Sequence, residues 1–205
     1  MARQDASVLA ILGAGVQASS HLRALAPVRG FSSVRVYAPN AAHVRSVLDG
    51  AAVSDGVTLT ASDSAEDAVR GADVVVSATN SREPVLRRAW LKPGAHVNAI
   101  GASTPAAREL DVETVAASAL FCDSRESLRS EAGEYQLALA EGAIAGESHV
   151  RATLGEVLAG TAGGRTGPGE LTLFRSLGLA IEDLAAAARA VAAARRLGIG
   201  TEVAL

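Results

Sequence analysis

The sequence has few aromatic residues, one cysteine and no long apolar run. Aromatic side chains make up 3% of the 205 residues, which is too few for a surface that stacks nucleic-acid bases. The lone Cys122 excludes an intrachain disulfide and favours a reducing compartment. The apolar stretch over 184–197 is interrupted by three arginines and is shorter than the roughly 18 residues of a membrane span.

The charge balance gives no sign of a polyanionic partner. There are 19 basic and 22 acidic residues, a net charge of −3, so we expect no binding to nucleic acid or to an acidic membrane. The polar residues 1–7 lead directly into an apolar run, so we expect no signal peptide and a cytoplasmic location. The 49% apolar and 20% charged residues are typical of a globular domain.

Short apolar runs alternate with amphipathic stretches of helical length. Strands are predicted over 7–12, 34–37, 57–60, 73–77, 96–100, 120–122 and 171–174. Helices are predicted over 16–28, 41–48, 64–70 and 179–197. Asn40 is the expected N-cap of the second helix. This alternation favours βαβ units, that is, an α/β fold with a doubly wound, mostly parallel sheet and a C-terminal helical segment.

A glycine-rich turn joins the first strand to the first helix. Its residues are Gly13, Ala14, Gly15, Val16, Gln17 and Ala18. Gly13 allows a tight turn, Gly15 lets the backbone approach a pyrophosphate, and the small Ala18 permits close packing of helix on strand. The position between strand and helix is typical of a Rossmann-type dinucleotide site. The alternative is a glycine turn that binds nothing.

The end of the second strand bears on the choice of cofactor. NAD sites place Asp or Glu there to bind the ribose hydroxyls, whereas this chain has Ala38-Pro39-Asn40. Arg45, or with less support His43 or Arg35, could pair with a 2′-phosphate. We therefore expect NADP or NAD, with a slight preference for NADP. The alternatives are that Asn40 is an ordinary helix cap and that Arg45 lies on a solvated helix face.

Small and polar residues follow the fourth and fifth strands. Ligands of open α/β sheets bind at the carboxyl ends of strands, so these residues are candidates for cofactor binding. They are Ala78, Thr79 and Asn80 after the fourth strand, and Ile100, Gly101 and Ala102 after the fifth. Taken alone, each segment is more often an ordinary loop than a binding site.

Several segments together resemble the ornithine cyclodeaminase/mu-crystallin family. They are GAGVQA (13–18), ADVVVSATNSREPVL (72–86), WLKPGAHVNAIGAS (90–103), RELD (108–111), GEY (133–135), LGEVLAG (154–160) and TLFRSLGLAIEDLAAA (172–187). The resemblance implies an NAD(P)-binding Rossmann domain over 1–175 and, over 176–205, a helix that belongs to the substrate and dimerisation domain. It also implies hydride exchange between a nicotinamide and the α-carbon of an amino acid or its imine, and places Ser176 near the nicotinamide.

Two departures from the family bear on activity. Ser103 stands where cyclodeaminases have a catalytic aspartate, so Ser103 is the candidate catalytic position and ornithine cyclodeamination is not expected. The family's substrate lysine belongs to a preceding domain that we expect this chain to lack. Lys92 is the only lysine, and it is interpreted as a solvated turn residue.

The other titratable residues give weaker indications. The four histidines lack metal-ligand spacing, so no metal site is expected. Asp111, Asp123 and Glu134 could reach the cleft, although helix caps and surface pairs are commoner roles for such carboxylates.

Two functions are compatible with these patterns. The first is an NAD(P)-dependent module of a ketimine reductase or amino-acid dehydrogenase, acting on a small amino or imino acid once a substrate domain is supplied. The second is a nucleotide-binding paralogue or partner subunit without catalysis. In both cases the apolar C-terminal helix predicts a homodimer or a companion chain. The alternative is that this helix folds onto its own sheet.

Overall fold

The computed structural model describes residues 1–203, which form one eight-stranded sheet flanked by helices. The strands are β1 (Val8–Leu12), β2 (Ser33–Tyr37), β3 (Thr58–Ala61), β4 (Val74–Ser77), β5 (His96–Ala99), β6 (Ala119–Cys122), β7 (Val150–Thr153) and β8 (Thr172–Arg175). The helices are α1 (Val16–Leu25), α2 (Ala41–Asp49), α3 (Ala65–Val69), α4 (Val112–Ala117), α5 (Arg125–Glu131), α6 (Gly133–Ala140), α7 (Leu154–Leu158) and α8 (Ala180–Leu197).

All strand pairs are parallel, and the strand order is β3-β2-β1-β4-β5-β8-β6-β7. Leu9 of β1 pairs with Val34 of β2 on one side and with Val74 of β4 on the other. After β1, the chain adds β2 and β3 on one side of that strand. It then crosses over and adds β4 and β5 on the other side. This reversal creates a crevice at the carboxyl ends of the two strands, where doubly wound sheets bind ligands. The predicted α/β fold of Rossmann type is confirmed.

Both faces of the sheet are covered, as the continuous apolar runs of β1 and β4 require. On one face, α1 and α2 pack through Ala18, Leu22, Val44 and Val47. On the other face, α3 to α6 bury a second cluster of side chains. That cluster includes Ala68, Val69, Val115, Leu128, Tyr135 and Ala138.

Several predicted boundaries differ from the structure. The first helix ends at Leu25, and residues 26–28 form a 3-10 turn, because Pro27 has no N–H to continue the α-helical pattern. Strand β7 was not predicted, since it is an edge strand with the exposed Arg151 at its centre. Strand β8 is the last strand along the chain, as predicted, and in the sheet it is inserted between β5 and β6. Sequence order does not determine such an insertion.

The C-terminal helix stands apart from the sheet. Strand β8 ends at Arg175 and α8 begins at Ala180, and no residue of α8 is buried. Ile181 and Leu184 are each 64% exposed. The alternative in which this helix folds onto its own sheet is therefore wrong, and the division at residue 175 stays a prediction. Within residues 1–203, no helix is both long and apolar enough to cross a membrane.

Candidate functional site

A cleft of about 740 Å³ opens where the strand order reverses. Its walls come from the loops that follow β1, β2, β4, β5 and β8. The lining residues are 13–17, 38–40, His43, 78–80, Ile100, Gly101, Ser103 and Leu177. Most residues predicted to bind the cofactor thus lie around one cavity, although they come from segments far apart in the chain.

The two glycines of the first turn have different roles. Gly13 has φ +108°, and a Cβ there would lie 2.3 Å from the carbonyl oxygen of Ala78, so the fold itself requires glycine. Gly15 has extended backbone angles, and a Cβ there would meet no atom within 4 Å. Gly15 is also the N-cap of α1 without a side-chain hydrogen bond. The first-turn N–H groups of α1 therefore face open space, which is what a pyrophosphate requires.

The cleft near the end of β2 contains no carboxylate. Asn40 caps α2, because its Oδ1 accepts hydrogen bonds from the main-chain N–H of Ala42 (2.9 Å) and of His43 (3.3 Å). This cap does not use the Asn40 amide nitrogen, which can donate to a ligand, and His43 also lines the cleft.

The two arginines considered for a 2′-phosphate lie elsewhere. Arg45 does not line the cleft, since Val44 and Val47 turn the opposite side of α2 toward the core and leave Arg45 exposed. The Nη1 of Arg35 donates to the carbonyl of Arg70 at 2.7 Å. Of the three basic residues considered, His43 is the one at the cleft.

Three further predicted residues lie behind the cleft wall. Ala18 is fully buried beneath the glycine turn, where its small size allows α1 to approach the sheet. Ala102 is 1% exposed. The Ser176 hydroxyl donates to Oδ2 of Asp123 at 3.2 Å, and the neighbouring Leu177 lines the cavity instead.

Asp123, at the end of β6, fastens the loop that follows β8. Its Oδ2 accepts from the main-chain N–H groups of Leu177 and Gly178, both at 2.6 Å. Gly178 has φ +85°, which a residue with a side chain rarely adopts. Asp123 therefore orients the segment that forms one rim of the cleft and leads into α8.

Glu109 is a buried carboxylate that the sequence patterns do not predict. It is 0% exposed. One carboxylate oxygen accepts from the hydroxyl of Ser77 and the N–H of Thr79, and the other from the N–H groups of Gly101 and Ala102. The only sequence signal was its place in the RELD segment. Asp111 of the same segment is the N-cap of α4.

A buried ion pair lies beside this carboxylate. Arg175 and Glu134, each 1% exposed, are paired through Nε and Oε1. The Nη1 of Arg175 donates to the carbonyls of Ala99 (3.1 Å) and Ser176 (2.6 Å), and its Nη2 donates to that of Ala102. Burial raises the pKa of Glu134, while the guanidinium of Arg175 opposes that rise. Glu134 is therefore neither a surface pair nor part of the cleft lining.

Ser103 is exposed and lines the cleft, as expected of a residue that could meet a substrate. Lys92 is not a solvated turn residue. Its Nζ lies 2.6 Å from Oδ1 of the buried Asp73, at the opposite edge of the sheet. Burial raises the pKa of Asp73, but hydrogen bonds from Lys92, Ser7 and Val8 outweigh burial and hold that pKa well below its usual range.

The comparison with known proteins agrees with this geometry. A profile of the ornithine cyclodeaminase/mu-crystallin family matches residues 1–195. The chain belongs to this family. Over 183 residues it is 40% identical to the ketimine reductase mu-crystallin of Mus musculus, a match that covers 88% of this chain and 53% of the mouse protein.

Two solved structures of the family superpose closely. Thermococcus litoralis Δ1-pyrroline-2-carboxylate reductase, in complex with NADH and L-proline, has a TM-score of 0.92 at 38% identity, over 99% of this chain and 62% of that one. An archaeal alanine dehydrogenase dimer with bound NAD has a TM-score of 0.89 at 35% identity, over 100% and 62%. The chain thus spans a little more than half the length of these relatives.

Proposed function

We propose that this chain is the dinucleotide-binding part of an NAD(P)-dependent oxidoreductase that acts on a small imino acid or the corresponding amino acid. The carrying observation is the cleft over Gly15, where an uncapped helix N-terminus faces open space at the topological switch point. Relatives named as ketimine and pyrroline-2-carboxylate reductases support the imino-acid substrate class. These enzyme names also favour a reductase over a nucleotide-binding protein without catalysis.

Each wall of the cleft has a distinct role in this proposal. The N-terminus of α1 and the main chain at Gly15 hold the pyrophosphate. Residues 78–80, Ile100, Gly101 and Ser103 form the floor beyond it, and Leu177 lies at one rim. A bound nicotinamide supplies the hydride donor or acceptor, and this chain orients the ring and shields it.

Ser103 separates imine reduction from cyclodeamination. A serine hydroxyl donates and accepts hydrogen bonds but is not a base near neutral pH. We therefore propose a ketimine reductase or amino-acid dehydrogenase, in which Ser103 hydrogen-bonds the reacting molecule, and not an ornithine cyclodeaminase. The acid or base that completes the reaction would come from the substrate domain.

For the dinucleotide, we propose a slight preference for NADP(H) over NAD(H). Residues 38–40 present no carboxylate that would repel a 2′-phosphate, and Asn40 and His43 both line this part of the cleft. Two structural relatives are described with bound NADH and NAD. The affinities of this chain for NADPH and NADH therefore need to be compared directly.

We propose that α8 mediates association with a second copy or a companion chain. Its support is the exposure of apolar side chains along an 18-residue helix in which no residue is buried. The archaeal alanine dehydrogenase is described as a dimer, which is consistent with such an assembly.

Calorimetric titration with NADPH and NADH tests the proposed function. Gly15→Val adds a side chain in the open space over the turn, on a backbone that any residue adopts. We expect the wild type to bind both dinucleotides, and to bind NADPH more tightly. Gly15→Val should lose at least about tenfold in affinity, because the valine side chain would overpack the contact between the turn and the pyrophosphate. Gly30→Val is the matched control, because a Cβ there also meets open space but lies outside the cleft. Equal affinity in the wild type and Gly15→Val would refute the site.

A further inference from the structure

The two loops that form the far end of the cleft share one buried carboxylate. Glu109 Oε1 accepts from Ser77 Oγ at 2.8 Å and from Thr79 N at 2.6 Å, at the end of β4. Its Oε2 accepts from Gly101 N at 2.7 Å and Ala102 N at 3.2 Å, after β5. A single side chain therefore accepts hydrogen bonds from two loops, one after β4 and one after β5.

The loops are also in direct contact, so a shift of one displaces the other. A Cβ on Gly101 would lie 2.0 Å from the carbonyl oxygen of Thr79. Arg175 holds the acceptors of the same turn, through the carbonyls of Ala99 and Ala102. The main chain after β5 is thus held by a carboxylate on its N–H groups and by a guanidinium on its carbonyls.

The held loops border the end of the cleft that lies away from Asn40. In Rossmann sites the adenosine ribose lies at the end of the second strand and the pyrophosphate at the glycine turn. The nicotinamide half must then extend over Thr79 and Gly101, which both line the cavity.

We propose that Glu109 is a positioning residue that sets the separation of these two loops and hence the fit of the nicotinamide half of the dinucleotide. This inference rests on the proposed function. The charge is essential, because all the groups around the carboxylate are donors. A glutamine has the same shape, but its NH₂ group would face N–H donors on one of the two sides.

The test is Glu109→Gln, titrated with NADH and with ADP. We expect NADH affinity to fall by about ten- to hundredfold, which is the range for losing hydrogen bonds to a charged group. Affinity for ADP, which reaches only the glycine turn and the adenosine end, should stay at the wild-type value.

The matched control is Asp73→Asn. Asp73 is also a buried carboxylate that accepts main-chain hydrogen bonds, and it precedes β4 at the opposite edge of the sheet. Asp73→Asn should lower the thermal unfolding midpoint and leave NADH affinity unchanged.

Ser77→Ala is a milder second variant in case Glu109→Gln does not fold. It removes one donor to the carboxylate, and it should weaken NADH binding more than ADP binding. Wild-type NADH affinity in Glu109→Gln, or in Ser77→Ala if only that variant folds, would overturn the inference. An equal loss for NADH and ADP would also overturn it. A wild type that binds neither ligand would instead refute the proposed function.

Discussion

Strand β4 has a buried carboxylate near each end, and the two carboxylates serve opposite edges of the sheet. Before the strand, Asp73 accepts from the main-chain N–H groups of Ser7 (2.9 Å) and Val8 (3.0 Å) and lies 2.6 Å from the side-chain nitrogens of Arg3 and Lys92. After the strand, Glu109 accepts from the loops that follow β4 and β5.

The amino and carboxyl edges of the sheet differ in which parts of the protein donate hydrogen bonds to the buried carboxylate. At the amino edge the donors are the main chain at the start of β1 and two basic side chains. These basic side chains neutralise the charge of Asp73, and the contacts cover this edge of the sheet. At the carboxyl edge the donors are loops that border an open cleft. The same chemistry therefore closes one edge to stabilise the fold and holds the other in shape for a ligand.

The largest effect is expected from Asp73→Ala. This change leaves two strand N–H groups and two basic side chains without their common acceptor, and breaking such a buried pair costs about 3–5 kcal/mol. The free energy of unfolding, measured with urea, should fall by that amount. Asp5→Ala is the control, because Asp5 pairs with the same Arg3 but its side chain is 78% exposed. An equally small change in both variants would show that the amino edge does not depend on Asp73.

A smaller effect is expected from pH, through His96 at the start of β5. Burial, together with the positive charges of the N-terminus and Arg165, lowers the pKa of His96 to about 3. The unfolded chain therefore binds a proton below about pH 6.5, whereas the folded chain does not until about pH 3. The contribution of His96 to the free energy of unfolding is therefore complete above pH 6.5. It should fall toward pH 3 with a limiting slope of about 1.4 kcal/mol per pH unit.

Unfolding free energies between pH 6 and 4.5 measure this slope. His96→Gln should flatten it, while His21→Gln should keep it, since the His21 ring lies at the surface and its hydrogen bond is to the carbonyl of Gln17 on its own helix. Identical slopes in wild type and His96→Gln would mean that another group at the amino edge carries the pH dependence.

The smallest effect on folding is expected at Leu184, on the helix that continues from the carboxyl edge. Leu184 is 64% exposed, so Leu184→Glu should change the free energy of unfolding by less than about 0.5 kcal/mol. The same change should shift the chain from associated to monomeric species in light scattering, because it places a charge on the apolar face. Ser130→Glu, on the solvent side of α5, should leave association unchanged. A wild-type monomer at tens of micromolar would contradict the proposed role of α8.

The local features of the site could be predicted because their contacts are close in sequence. The turn at Gly13 depends on one positive φ between a strand and a helix. Asn40 and Ser64 cap helices through N–H groups two or three residues ahead. Such contacts need no knowledge of the rest of the chain.

The sequence by itself therefore determined the βαβ alternation, the glycine turn and the family. Only the tertiary structure showed that β8 lies between β5 and β6, that His43 and not Arg45 faces the cleft, and that Lys92 pairs with Asp73. Glu109 and Arg175 likewise depend on partners about 30 and more than 70 residues away. Hydrophobic periodicity specifies which face of an element is buried, but it carries no information on which distant charges will meet at the edge of the sheet.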